Sequence, residues 1–300
     1  MRKHVLVLGS SCVDVIIRVE HLPKREENLH PTSQQFRLGG CACNVASILG
    51  HGGAEVRFVT PIGMQGVFGP WVHQALRPLP WVSPVLLPDA ENGCCYCLVE
   101  PDGERTFLSI HGAEYTFSPE WMTPFENQPF DYAYVCGLEI EEKNGPELIR
   151  WLKQARVQNL FYAPGPRGVR IPRERTAQLF ALHPILHLNR SEALQLAGSD
   201  SLDAAINLLC RQTGRPVIVT LGADGALVLE KTGDPCLIPG VPAERIVDTI
   251  GAGDAHAGAV LLGLSRDWPL VRSVELANRV AARIVAQEGA ALQDPRILME

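Results

Sequence analysis

The chain has 300 residues, 46% hydrophobic and 20% charged, with a formal net charge of −6. That composition excludes an extensively disordered protein and supplies enough apolar material for one large α/β domain. The acidic balance speaks against duplex nucleic acid as a partner, because binding it requires a concentrated basic surface.

The apolar run at residues 5–8 is short and is broken by Gly9-Ser10-Ser11-Cys12, with no cleavage-site pattern. It reads as a buried first strand rather than a signal peptide. No other stretch is long enough to span a bilayer, so a cytoplasmic protein with no membrane partner is expected. Apolar and polar residues then alternate from Val15 to Leu38, ahead of Gly39-Gly40. Short β-rich runs at 56–60, 132–135, 160–162, 185–188 and 217–220 predict further strands. Helical patterns fall at 146–156, 192–197 and 202–211, and two longer ones at 253–264 and 271–287.

This alternation predicts a doubly wound, mostly parallel sheet flanked by helices. The runs 94–100 and 105–110 alternate instead, and Pro101-Asp102-Gly103-Glu104 between them is turn chemistry, so they form a hairpin. Residues 15–38 and 94–112 together make a small β-sheet lid on a single domain spanning 1–300. A lid shields a reacting site from water. Exposed sheet edges are usually paired, and a homodimer is expected on that ground.

Nine cysteines without a secretory signal do not make a disulfide framework. The clusters Cys41-x-Cys43 and Cys94-Cys95-x-Cys97 lack the Cys-x2-Cys spacing common in zinc sites, and the thiols read as small apolar filler.

The chemistry sits in Asp248-Thr249-Ile250-Gly251-Ala252-Gly253-Asp254, which opens an apolar helix. Gly251 and Gly253 allow the backbone to approach a ligand closely. Free N–H groups at the helix start attract an anion, giving a phosphate cradle without a Walker sequence. Asp254 beside that cradle is placed to accept a proton from an attacking hydroxyl, which phosphoryl transfer requires. A capping aspartate is the competing explanation.

This run resembles the C-terminal signature of the ribokinase-like, or PfkB, family of carbohydrate and nucleoside kinases. Gly39-Gly40-Cys41-Ala42-Cys43-Asn44 resembles the family's N-terminal motif, and Asn189-Arg190-Ser191-Glu192 its Asn-x-x-Glu motif. The resemblance implies an ATP-dependent kinase with Asp254 as base and Gly251, Ala252 and Gly253 as anion hole. It implies an acceptor held by Asp14, Gly39, Gly40 and Asn44. Asn189 and Glu192 would organise Mg²⁺ through waters, with Ser191 capping a plain helix start as the alternative. Thr220, Gly222, Gly225 and Asn278 would support the nucleotide. A K⁺-like cation is implied near the backbone carbonyls of Asp248 and Ile250, facing the 288–290 region.

Some positions depart from the pattern. Gly63-Met64-Gln65-Gly66 lacks the acidic pair many relatives carry, and Ala163 stands where many have Asp. Arg167 is then a candidate for an anionic group, and Gln65, His111 and Glu139 are candidates for the acceptor cleft. His256, two residues beyond Asp254, points elsewhere on a helix and is not expected to be a second base. No basic cluster stands out in the lid or near 39–44, which favours a neutral sugar acceptor. A nucleoside is the alternative, with Tyr96 and Phe107 as base-stacking candidates. Two further classes rank below these: a non-catalytic nucleotide sensor, and an oxidoreductase, for which the early Gly-x-Gly-x-x-Gly is missing.

Overall fold

The computed structural model describes residues 3–102, 104–231 and 233–299, so Met1, Arg2 and the predicted turn residue Gly103 lie outside the described residues. In chain order the first elements are β1 (His4–Leu8), β2 (Cys12–Arg18), β3 (Ser33–Gly39), α1 (Cys41–His51), β4 (Glu55–Gln65), α2 (Phe68–Leu76) and β5 (Val82–Glu91). The hairpin β6 (Cys94–Val99) and β7 (Arg105–Ile110) follows, then β8 (Phe130–Cys136), α3 (Gly137–Glu141), α4 (Gly145–Gln154) and β9 (Val157–Ala163). The last third holds α5 (Arg173–Phe180), β10 (Ile185–Asn189), α6 (Arg190–Ala197), α7 (Leu202–Thr213), β11 (Val217–Thr220), β12 (Gly225–Leu229), β13 (Cys236–Pro239), α8 (Ala252–Ser265) and α9 (Leu270–Val285).

Nine strands form the base sheet in the order β13-β12-β11-β10-β9-β8-β1-β4-β5. Pairing is parallel from β5 across to β11, and β12 and β13 add an antiparallel edge. Strand β1 shows why both faces are covered. Val5 and Val7 enter a core with α1, α8 and α9, while Leu6 and Leu8 enter a second core with α4, α6 and α7. A strand buried on both sides needs this continuous apolar run.

The chain proceeds from β1 through β4 to β5 on one side, then returns to β8 and continues through β9 to β11 on the other. The order therefore reverses between β1 and β8, and α/β proteins open their ligand crevice at the carboxyl ends of such strands.

A separate four-stranded sheet, ordered β3-β2-β6-β7, is formed by the segments expected to make the lid, and keeps that label below. β2 pairs antiparallel with β3 but parallel with β6, which pairs antiparallel with β7. Its passage back to the base is clamped by buried Glu114, whose carboxylate accepts from Gly93 N (2.7 Å) and Gly112 N (3.0 Å).

A buried polar chain ties β10, α8, α9 and β13 together. His187 on β10 and His256 on α8 meet at 2.8 Å, His256 Nε2 lies 3.1 Å from Asn278 Oδ1, and Asn278 Nδ2 donates to the carbonyls of Ile238 (3.2 Å) and Pro239 (2.9 Å). Since the Asn278 oxygen accepts, His256 carries its proton on Nε2 and accepts from His187 Nε2 through Nδ1. Burial pushes His187 well below the usual histidine range and His256 down to about 4, so both stay neutral.

Candidate active site

Two helix starts meet at the crevice. Gly40, with φ 102°, precedes α1; a Cβ there would lie 2.5 Å from the Ser10 carbonyl oxygen just beyond β1, which accepts from Cys43 N (3.2 Å). That contact sets the first turn of α1 against the sheet, and Asn44 Nδ2 then donates to Asp254 Oδ2 at 2.9 Å. Asp254 occupies the first turn of α8 without capping it, since no side chain caps that helix. The capping explanation therefore fails for this aspartate. Burial raises its carboxyl above the usual range, opposed by hydrogen bonds from Asn44 and Cys41.

Gly251 caps α8 in the left-handed region, with φ 72°. The amide of Ala252 returns to the Thr249 carbonyl (3.3 Å), whereas no described hydrogen bond uses the amides of Gly251, Gly253 or Asp254. Ala252 thus lends a small side chain to the cradle rather than a free donor. A Cβ on Gly253 would meet nothing within 4 Å, so this turn opens into space where an anion fits.

Asp248 orders the same loop from below. Its Oδ1 accepts from Ile250 N (2.7 Å) and lies 2.8 Å from Arg105 Nη1, and its Oδ2 accepts from Gly289 N (3.0 Å). No described hydrogen bond uses the carbonyl oxygens of Asp248 or Ile250. Those two unused oxygens fit a monovalent cation.

Asp14 projects from β2 close enough to Asp254 for that charge to act on it. A Cβ on Gly39 would sit 2.1 Å from Asp14 Oδ2, so that glycine makes room for the carboxylate. Burial, then the charges of Asp254 and Asp248, push the Asp14 carboxyl up to about 7. Cross-strand register puts Arg37, Gln35 and Ser33 opposite Asp14, Ile16 and Arg18, and Cys97 opposite both Ile16 and Phe107. Directly opposed residues share a face, so Phe107 lies on the Asp14 side of the lid. Tyr96 pairs with Leu108 and faces the other way. Its expected partnership with Phe107 in stacking one base is therefore ruled out by the pleat.

The lid face also gathers Arg18, Arg37 and Arg105, a grouping the linear sequence hides. Arg18 pairs with Glu288 (3.1 Å) and Arg105 with Asp248, while Arg37 donates to the neutral Gln35 (2.9 Å).

At the end of β10, Asn189 is itself the N-cap of α6. Its Oδ1 accepts from Glu192 N (2.8 Å), and Glu192 Oε2 accepts from Asn189 N (2.9 Å), a complete capping box without Ser191. Burial raises the Glu192 carboxyl and the charge of Asp254 adds to it, against the backbone hydrogen bond from Asn189. The charge of Asp254 thus acts on both Asp14 and Glu192. Among the described residues no three acidic, histidine or cysteine groups form a metal cage, so a Mg²⁺ at Asn189 and Glu192 would take most of its oxygens from waters. Thr220 ends β11, and Gly222 and Gly225 turn the chain into β12, with φ 65° and 100°. Asn278 does not face a ligand directly, since its amide is engaged with His256 and β13.

The four other candidates are engaged by neighbouring groups. Arg167 forms a bidentate pair with Glu141 (2.7 and 2.5 Å), and Gln65 donates to the Pro88 carbonyl (2.6 Å). His111 pairs with Glu142 (2.6 Å). Glu139 is buried beneath the crevice, accepts from Ser10 N (2.9 Å), and is pushed by burial up to about 7. Sequence reasoning did not single out Arg105, which belongs to no motif, and took Cys41 as small apolar filler, although its thiol hydrogen-bonds Asp254. A cavity of about 760 Å³ beside α5 and α6 contains none of the site residues.

A family model for pfkB family carbohydrate kinases matches residues 2–296. The Escherichia coli (strain K12) protein described as uncharacterized sugar kinase YegV is 36% identical over 292 residues, covering 96% of this chain and 90% of that one. The ribokinase structure from Giardia lamblia superposes with a TM-score of 0.87 at 18% identity, covering 99% of this chain and 98% of the other. Aminoimidazole riboside kinase from Salmonella enterica, solved with aminoimidazole riboside and an ATP analog, gives 0.79 at 25% identity and 98% coverage of both chains. These matches lead to one assignment: the chain belongs to the pfkB family of carbohydrate kinases.

Proposed function

We propose that the protein transfers the γ-phosphoryl group of ATP to a hydroxymethyl group of a small neutral sugar, with Asp254 as general base. The observation that carries this reading is the first turn of α8, where Asp254 is held by Asn44 instead of capping its helix, beside the unused amides of Gly251 and Gly253. Asp254 takes the hydroxyl proton as the new O–P bond forms and the bond to the β-phosphate oxygen breaks, leaving ADP. The amides of the cradle face the charge that develops on the transferred group. Asp14 and Asn44, made accessible by Gly39 and Gly40, orient the acceptor. Mg²⁺, when bound through Glu192 and Asn189, supplies charge neutralisation for the phosphates. The carbonyls of Asp248 and Ile250 would hold a K⁺-like ion that fixes the loop. Thr220, Gly222 and Gly225 shape the nucleotide side, with Asn278 acting behind β13.

A neutral acceptor is favoured because two of the three lid arginines are already neutralised by Glu288 and Asp248. Phe107, 52% exposed on the acceptor side of the lid, supports a nucleoside as the second reading. Leu108 and Ile110, exposed on the other face, support a homodimer through the lid. No helix among the described residues is long and apolar enough to cross a membrane, and a cytoplasmic location remains part of the proposal.

The test is ADP release from MgATP against a panel of free pentoses, hexoses and nucleosides. Turnover with a sugar is expected. Binding of AMP-PNP without turnover on any acceptor would instead favour a non-catalytic nucleotide sensor.

The acidic limb of the pH profile gives a second check. Asp14 must be ionised to accept from acceptor hydroxyls, and its carboxyl titrates at about 7. The value of kcat/KM for the acceptor should therefore rise roughly tenfold from pH 6 to pH 8 and flatten above. Asp14→Asn should remove that limb. A flat wild-type profile over this range would contradict the role given to Asp14.

A further inference from the structure

We propose that Arg105 is a positioning residue through which the lid sets the geometry of the anion hole. The inference rests on reading the 248–254 loop as that hole. Arg105 opens lid strand β7, yet its side chain is only 9% exposed. Its Nη1 reaches Asp248 Oδ1 (2.8 Å) and Thr249 Oγ1 (3.2 Å). The same Asp248 carboxylate accepts from Ile250 N and Gly289 N. One carboxylate therefore joins the lid, the loop ahead of α8 and the turn at 288–289.

That turn is next to Ala290, whose Cβ lies where a side chain on Gly251 would have to go, 2.3 Å away. Position and conformation of Gly251 are thus set by a wall that the lid holds through Arg105. Losing the guanidinium would leave the Asp248 carboxylate buried with only backbone donors, which makes the brace costly to break. Arg18 and Glu288, the lid's other tie to this wall, are both about half exposed (44% and 48%) and contribute far less. Arg105 Nε–H is also buried and has no acceptor among the described residues.

The arrangement makes phosphoryl transfer depend on where the lid sits. With the lid displaced, Arg105 leaves Asp248, the loop loses its brace, and the amides facing the phosphate lose their alignment. ATP turns over productively only beneath a seated lid.

The test compares Arg105→Ala, Arg105→Lys and Arg18→Ala in the full chain. Rates use MgATP and the panel sugar with the highest turnover; hydrogen–deuterium exchange of residues 248–253 and 288–290 needs no acceptor. For Arg105→Ala, kcat should fall at least thirtyfold with KM for ATP changed less than threefold, and exchange at Ile250 and Gly289 should rise at least tenfold. Arg105→Lys keeps the charge on a shorter side chain without the planar fork, and should recover part of kcat. It carries the test if the alanine variant does not fold, with a three- to tenfold loss expected. Arg18→Ala should stay within threefold of wild type. Unchanged kcat and unchanged exchange in either Arg105 variant would overturn the proposal. If Asp254→Asn is inactive while the Arg105 variants are normal, only this inference fails; if Asp254→Asn is active, the reading of the site fails first.

Discussion

Asp254→Asn should bind nucleotide like the wild type and turn over roughly 10³-fold more slowly, the scale of a lost general base. Asparagine keeps the size of the side chain and can still meet Asn44, so the first turn of α8 and the cradle amides keep their places. What disappears is a group able to take the acceptor's proton. The loss corresponds to about 4 kcal/mol in activation free energy. Steady-state kinetics and calorimetry with AMP-PNP check both halves. A rate within tenfold of wild type would remove Asp254 from the chemistry, and a lost nucleotide affinity would make its role structural.

Gly251→Ala should be the most damaging change that adds a single carbon. The residue sits at φ 72°, where an L side chain costs about 1–2 kcal/mol. Its new Cβ would also lie 2.3 Å from that of Ala290 and 3.4 Å from Asn44 Nδ2. Relief requires the loop to move off the wall at 288–290, carrying the phosphate-facing amides with it. Misplacing such donors costs roughly 10²–10³ in kcat, so a hundredfold fall with native circular dichroism is expected. A variant with kcat near wild type would show that the loop amides do not face the transferred group.

The parts of the architecture legible in the sequence were those written as short-range pattern. Val5–Leu8 and Val217–Thr220 are buried on both faces and therefore read as continuous apolar runs. β5 did not, because it is an edge strand, half exposed, with Pro84 and Pro88 interrupting its alternation. The antiparallel edge β12–β13 was hidden behind a glycine turn and a mostly exposed final strand. In the lid, the β6–β7 hairpin was visible from its alternation and turn. The parallel pairing of β2 with β6 was not, since nothing local encodes it.

The site divides in the same way. Asp254, Gly251 and Asn44 lie in compact motifs, and the run containing each identifies it. Arg105 looks like an ordinary strand-end arginine until the fold brings it to Asp248. Asn189 and Glu192 were readable as a spaced pair, while the capping box that orients them needed coordinates. Phe107 and Tyr96 separate because the pleat sends them to opposite faces, and Asn278 is claimed by a histidine chain formed between distant elements.

The pairing of β2 with β6 also bears on how the molecule comes into being. β2 has its hairpin partner β3 next to it in the chain, but its other neighbour is made about 80 residues later. β1 likewise lies between β4 and β8 and is incomplete until β8 has been synthesised. A growing chain therefore carries two open strand edges through much of its translation, a state that favours aggregation and chaperone capture. The cover of the site and its floor are closed by late-arriving strands, so neither can be expressed as an independent N-terminal fragment.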